Sequence, residues 1–160
     1  ERLDPELTLP YDEIGSKRGK ELSGIIDHDD SMLDISAAAD YVRDAGKVAI
    51  LGFCFGGTVT WLAASRCQLD GAIAYYGSNM CDYPDEIPRC PVICHVGDLD
   101  TAVPTEDVEV FQVAHPEVHW FVYQGAQHGF DNITRPSRYH PQATTLARER
   151  SLSFLSEYIG

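Results

Sequence analysis

Basic side chains are scarce in this sequence. Only 12 Lys and Arg stand against 25 Asp and Glu in 160 residues, a formal charge of −13 at neutral pH. So anionic a surface repels phosphate backbones and acidic lipid, which argues against nucleic-acid binding and a basic membrane-surface role. No apolar run approaches the ~20 residues that cross a bilayer, so no membrane partner is expected. A disulfide framework is lacking too. The five cysteines, Cys54, Cys67, Cys81, Cys90 and Cys94, are odd in number and share no repeated spacing. A reducing, cytoplasmic setting is the expectation. A starting Met is also missing: the chain opens at Glu1 on a polar stretch, which implies sequence upstream that was removed or is not included.

The chain does contain apolar material, at 44% of residues, enough for one domain over 1–160 with a core that needs no metal or disulfide staple. Pro5, Pro10 and Gly15 read as breakers that keep 1–15 irregular. Asp27-His28-Asp29-Asp30 has no further ligand at a recognisable spacing and reads as the solvated start of a helix. Over 31–45 the residues Leu33, Ile35, Ala38, Ala39 and Val42 share one helical face, with Gly46 as the stop.

A continuous apolar run at 47–51 predicts a strand buried on both faces, and an apolar helix follows over 58–65. Further strands are expected at 71–77, 91–96 and 118–123, and helices at 105–114, with Thr105 as N-cap, and 142–158. Strands alternating with helices predict α/β architecture around a mostly parallel sheet. Cys90, Cys94 and His95 could suggest a metal site. Strand alternation separates Cys94 from His95, so core cysteines and no metal are expected. Trp61 and Trp120 read as core, His119 as packed or half-exposed, and His28, His115 and His140 as residues of helix ends or turns.

Gly52-Phe53-Cys54-Phe55-Gly56-Gly57 joins a strand to a helix. Those are the parts of a nucleophile elbow, in which a strained turn lifts the reactive side chain above the sheet. Gly52 and Gly56, two positions either side of Cys54, are expected to lack side chains for steric reasons. The helix N-terminus favours thiolate, and the Phe55 N–H is one candidate oxyanion donor. Asp98 and Asp100 follow the third strand, and His128 follows the fourth within Gln127-His128-Gly129-Phe130. Nucleophile, acid and base thus come in the chain order of α/β-hydrolases, each past the C-terminal end of a strand.

These three motifs, with Tyr75-Tyr76-Gly77 and the Arg148-Glu149-Arg150 helix, resemble the dienelactone hydrolase (carboxymethylenebutenolidase) family from about residue 31 to the C-terminus. The resemblance implies an α/β-hydrolase three-layer sandwich with helices on both faces of the sheet. Its N-terminal strands, a glutamate that meets the cysteine and a second oxyanion donor would lie upstream of Glu1. It also implies Cys54 as nucleophile, His128 as base and acid, and Asp100 as the acid three positions before Val103-Pro104, with Asp98 as the alternative. Phe55, Gly56, Tyr76 and Arg135 would bind substrate or oxyanion, Tyr76 having core packing as its other reading. Asn132 stands where a family arginine would hold a substrate carboxylate, while Arg135 and Arg138 are close but displaced. The other family arginine could come only from Lys17, Arg18 or Lys20. The expected reaction is hydrolysis of a small ester or lactone, with no cofactor, by a monomer or weak homodimer. The competing classes are a non-catalytic binding module on the same scaffold and a metal- or redox-linked thiol protein.

Overall fold

The computed structural model describes residues 6–10 and 12–160; Glu1 and Pro5 lie outside the described residues. Four strands, β1 (Ala49–Phe53), β2 (Gly71–Tyr75), β3 (Val92–Gly97) and β4 (His119–Tyr123), form one sheet in the order β1-β2-β3-β4, parallel throughout. The α-helices among the described residues are α1 (Glu13–Ser23), α2 (His28–Val42), α3 (Phe55–Arg66), α4 (Thr105–Ala114) and α5 (Pro141–Tyr158), with short 3-10 turns at Arg43–Ala45 and Met80–Asp82.

Side-chain alternation along β2 and β3 divides the core in two. Ala72, Ala74, Cys94 and Val96 pack with Trp61 and Leu62 of α3, Val108 and Phe111 of α4, and Met32 of α2. Ile73, Tyr75 and Ile93 face the other way, onto Ala143, Ala147 and Phe154 of α5. This is the expected three-layer α/β arrangement. Both tryptophans are core residues, and Cys94 and His95 point to opposite sides.

Several local expectations are corrected. Residues 47–51 are expected to be buried on both faces, yet among the described residues β1 stands at the edge of the sheet, paired with β2, and Leu51 and Phe53 are exposed. The doubly buried strands are the central ones, β2 and β3. Gly15 does not break a helix but lies in the first turn of α1. Asp12 caps it, and the Pro10 carbonyl sits where a Cβ would be, 2.0 Å away. Helix α2 starts at His28, its N–H groups capped by Asp27, and buries Met32 and Ala39 rather than the full predicted face; Leu33 and Val42 are exposed. The N-cap of α4 is Pro104, without a side-chain cap bond, and Thr105 is already helical. His119 is exposed on the edge strand β4. His140 does cap α5, accepting from the Ala143 N–H.

Parallel strands bring all four C-terminal ends to one rim, where Phe53 pairs with Tyr75 and Gly97 with Tyr123. The loops that leave this rim carry the candidate site.

Candidate active site

Cys54 follows β1 and has φ +54°, ψ −119°, a region that non-glycine residues avoid at a cost of about 1–3 kcal/mol. Hydrogen bonds on both sides hold it there. Its N–H donates to the Tyr75 carbonyl at 3.0 Å, and its carbonyl accepts from Gly57 at 2.8 Å and Thr58 at 3.3 Å. The glycine requirement differs from expectation. A Cβ on Gly52 would lie 2.0 Å from the Gly56 carbonyl oxygen, and one on Gly57 would lie 2.7 Å from that of Tyr75. At Gly56 a Cβ would meet nothing within 4 Å, so the sterically demanding pair is Gly52 and Gly57. Gly56 instead leaves the space over the turn open.

His128 sits between Gly125 and Gly129, both at positive φ, in the loop after β4. The loop is anchored by the fully buried Phe130, whose carbonyl accepts from the His140 N–H and the Thr144 hydroxyl. The imidazole Nε2 lies 3.1 Å from Sγ of Cys54. Its Nδ1 lies 2.9 Å from Oδ2 and 3.1 Å from Oδ1 of Asp100. That carboxylate is fully buried, and its Oδ1 also accepts from the N–H groups of Ala102 at 2.8 Å and Val103 at 3.1 Å. A carboxylate fixed by two main-chain donors keeps the proton on Nδ1 and turns Nε2 to the sulfur. Asp98 does other work: its Oδ1 accepts from the Gly125 N–H at 2.7 Å.

Burial pushes the Cys54 thiol up, but hydrogen bonds with His128 and Ser78, the His128 charge and the Phe55 N–H outweigh it and bring the thiol down to about 7. Burial pulls the His128 imidazolium down, while bonding and charge from Asp100 and Cys54 carry it up to about 9. Between those values the pair is thiolate and imidazolium. Such a pair can attack an electrophilic carbonyl and supply a proton to what leaves.

Tyr76, at φ +39°, is buried with its ring 5.1 Å from that of His128 and 5.4 Å from Phe130. Desolvation pushes its phenol far up, so it stays neutral beneath the imidazole. Arg135 is directed to α1, donating to Ser16 at 3.2 Å, and Arg138 reaches the His128 carbonyl at 3.5 Å. One neighbour of the sulfur escaped the sequence reading. Ser78, in the loop after β2, has its hydroxyl 3.3 Å from Sγ. Its signal would have been the adjacency of β1 and β2, which makes the loops after them neighbours.

The five cysteines are free. Cys67 and Cys94 are buried, Cys81 and Cys90 half-buried, and Cys54 is exposed. Among the described residues no three His, Cys, Asp or Glu stand close enough to hold a metal, and no helix is long and apolar enough to cross a membrane. A concavity of about 590 Å³ on the α5 flank, lined partly by His119, Phe121 and Arg150, lies away from the rim and includes none of Cys54, Asp100 and His128.

Comparison with known proteins places the chain. The model of the dienelactone hydrolase family matches residues 10–159. A carboxymethylenebutenolidase of Pseudomonas putida is 32% identical over 158 residues, covering 92% of this chain and 66% of that protein. Carboxymethylenebutenolidase 1 of Cupriavidus pinatubonensis is 28% identical, covering 97% of this chain and 70% of its own. The crystal structure of a candidate dienelactone hydrolase from Klebsiella pneumoniae superposes with a TM-score of 0.79 at 26% identity, covering 87% of this chain and 65% of that one. The propionate-bound esterase Est2 of Thermogutta terrifontis shares the fold, with a TM-score of 0.63 at 19% identity over 82% of this chain and 66% of that chain. The chain thus spans just under two thirds of the length of the Pseudomonas and Klebsiella proteins it matches.

Proposed function

We propose that this chain, which belongs to the dienelactone hydrolase family, carries in residues 1–160 a single hydrolase domain that cleaves small carboxylic esters or lactones through Cys54. The observation that carries this reading is the continuous relay from Sγ of Cys54 through His128 to the buried Asp100 at the rim of a parallel sheet.

In this mechanism the Cys54 thiolate adds to the carbonyl carbon of the substrate, and the C=O electron pair moves to oxygen. The Phe55 N–H, at the positive end of α3, donates to that oxyanion, and the open space above Gly56 admits the acyl group. Collapse breaks the carbon–oxygen bond of the ester, and the departing alkoxide takes the proton from Nε2 of His128. The thioester remains. Neutral His128 then removes a proton from water, whose oxygen adds to the thioester carbon. Collapse of this second intermediate returns the electron pair to sulfur and frees the acid. Asp100 keeps the ring oriented and stabilises the imidazolium, and Tyr76 supports it from below.

The test is intact mass after rapid mixing with p-nitrophenyl acetate. The expected result is a single acetyl adduct, mapped to Cys54 and matched by a burst of p-nitrophenolate. Full turnover by both Cys54→Ala and His128→Ala would sink the proposal. Ligand-induced thermal stabilisation without any adduct would favour a binding module instead.

A further inference from the structure

The loop that follows β2 is held against the cysteine turn more firmly than a connecting loop requires. The Tyr76 N–H donates to the His95 carbonyl at 2.7 Å, and the Met80 N–H to that of Gly77 at 3.2 Å. A Cβ on Gly77 would lie 3.0 Å from the carbonyl carbon of Gly57 and the nitrogen of Thr58, so the loop backbone rests on the first turn of α3. The Asn79 N–H then donates to the Thr58 hydroxyl at 3.2 Å. Residues 76, 77 and 79 are thus each pinned, and Ser78 between them is aimed at Sγ of Cys54.

A thiolate carries no hydrogen, so in the ionised state the Ser78 hydroxyl must be the donor in this contact. We propose that Ser78 is a further catalytic residue, donating a hydrogen bond from its hydroxyl to the Cys54 sulfur to stabilise the anion before attack and again as it leaves the thioester. This rests on Cys54 being the nucleophile. The sulfur is an anion at two points, before attack and as the second intermediate collapses, and at both His128 and Ser78 face it together. Once the Nε2 proton of His128 has gone to the leaving alkoxide, the ring is a base facing water. When the second intermediate collapses, the carbon–sulfur electron pair returns to sulfur while the regenerated imidazolium lies on one side and the Ser78 hydroxyl on the other. Among the described residues, the charged or polar groups that face Sγ are His128 after β4, with Asp100 behind it, the Phe55 N–H of α3, and Ser78 with the neutral Tyr76 phenol from the loop after β2.

The experiment is the pH profile of Cys54 alkylation by iodoacetamide, read by peptide mass spectrometry, in the unsubstituted chain, Ser78→Ala and Ser78→Thr. A hydrogen bond to the charged form favours that form, so loss of the hydroxyl should slow alkylation at pH 6.5 about three- to tenfold. At pH 9.5, where thiolate predominates in both, the rates should agree within about twofold. Ser78→Thr, which restores a hydroxyl, should return the profile most of the way to the original. Superimposable profiles for the unsubstituted chain and Ser78→Ala would overturn the proposal, as would a shift that Thr does not rescue. Deacylation of the acetyl adduct should slow in Ser78→Ala by a similar factor, and an unchanged rate would remove the leaving-group role. Alkylation needs no turnover. A shifted profile in a protein that forms no acyl adduct would count against the hydrolase reading but not against the contact, and an unshifted profile with full turnover the reverse.

Discussion

His128 and His95 each have both ring nitrogens hydrogen-bonded, yet they are driven in opposite directions. His128, at the rim, lies between the Asp100 carboxylate and the Cys54 sulfur and is raised to about 9. His95, in β3, is wholly buried, with Nδ1 2.8 Å from the Tyr123 hydroxyl and Nε2 3.0 Å from that of Ser151. Burial, with a smaller contribution from the Arg150 charge, lowers it to about 3. The number of hydrogen bonds does not separate the two. What separates them is whether the partners can carry negative charge to offset the desolvation of an imidazolium. Hydroxyls cannot, so His95 is a neutral structural ring; a carboxylate and a thiolate can, so His128 keeps its proton up to about 9 and has it to give to a departing alkoxide.

The sharpest way to break this comparison is to delete each ring. His128→Ala and Cys54→Ala should each lower kcat/KM for p-nitrophenyl acetate by at least ~10³-fold. His95→Gln should act on stability instead. It breaks the ring's bonds to the Tyr123 and Ser151 hydroxyls, which keep Arg150 and Tyr75 as their other partners, and should cost about 1–3 kcal/mol of stability in urea unfolding, with kcat/KM kept within about threefold. Equal kinetic losses from both substitutions would erase the distinction.

Removing the charge without the shape comes next. Asp100→Asn keeps a carbonyl for the Ala102 and Val103 N–H groups but presents an amide to Nδ1. That favours the tautomer with its proton on Nε2, facing the sulfur, and should lower kcat/KM by ~10²–10⁴-fold. The pH profile reports the same change. With the thiol near 7 and the imidazolium near 9, kcat/KM of the parent chain should rise through about 7 and fall through about 9. In Asp100→Asn the upper limb should move down, because the charge that supports the imidazolium is gone.

These sites were not equally legible in the sequence. The glycine-flanked cysteine, the aspartate before Val103-Pro104 and the histidine between two glycines each declare themselves within a few residues, because a turn imposes its needs locally. Helix α1 did not. Its residues carry no apolar stripe, since Ile14 is exposed and Gly15 alone is buried, so periodicity had nothing to detect. Gly57 outranks Gly56 because Tyr75 passes over it, and Ser78 reaches Cys54 because β2 is the neighbour of β1. The His95 network joins β3, β4 and α5. Each depends on which strands pair, a relation that spacing along the chain does not encode.

Acid should sharpen the contrast further. The unfolded chain protonates His95 below about 6.5, whereas the folded chain resists until about 3. Its depressed value therefore contributes stability above 6.5 that is lost as pH falls toward 3, at up to about 1.4 kcal/mol per pH unit. Between pH 6 and 4 the urea midpoint of the parent should drop more steeply than that of His95→Gln. His128 has the opposite sign: its raised value adds stability below about 6.5, lost as pH rises through about 9. Parallel acid slopes for parent and His95→Gln would show that His95 is not held neutral.

The smallest expected effect concerns the other aspartate of the same loop. Asp98 and Asp100 are two residues apart, and both accept main-chain N–H groups. Only Asp100 has a nitrogen of His128 in front of it; Asp98 holds the Gly125 N–H, at the turn where the histidine loop leaves β4. An asparagine at 98 retains a carbonyl for that donor, so Asp98→Asn should keep kcat/KM within about threefold and leave both pH limbs in place. Asp98→Ala removes the acceptor, loosens the turn and should cost more than Asp98→Asn, in stability before rate. The same Asp-to-Asn exchange two positions on is expected to cost at least ~10²-fold. A loss of that size at 98 would mean that the loop can shift by two residues to bring the other carboxylate to His128.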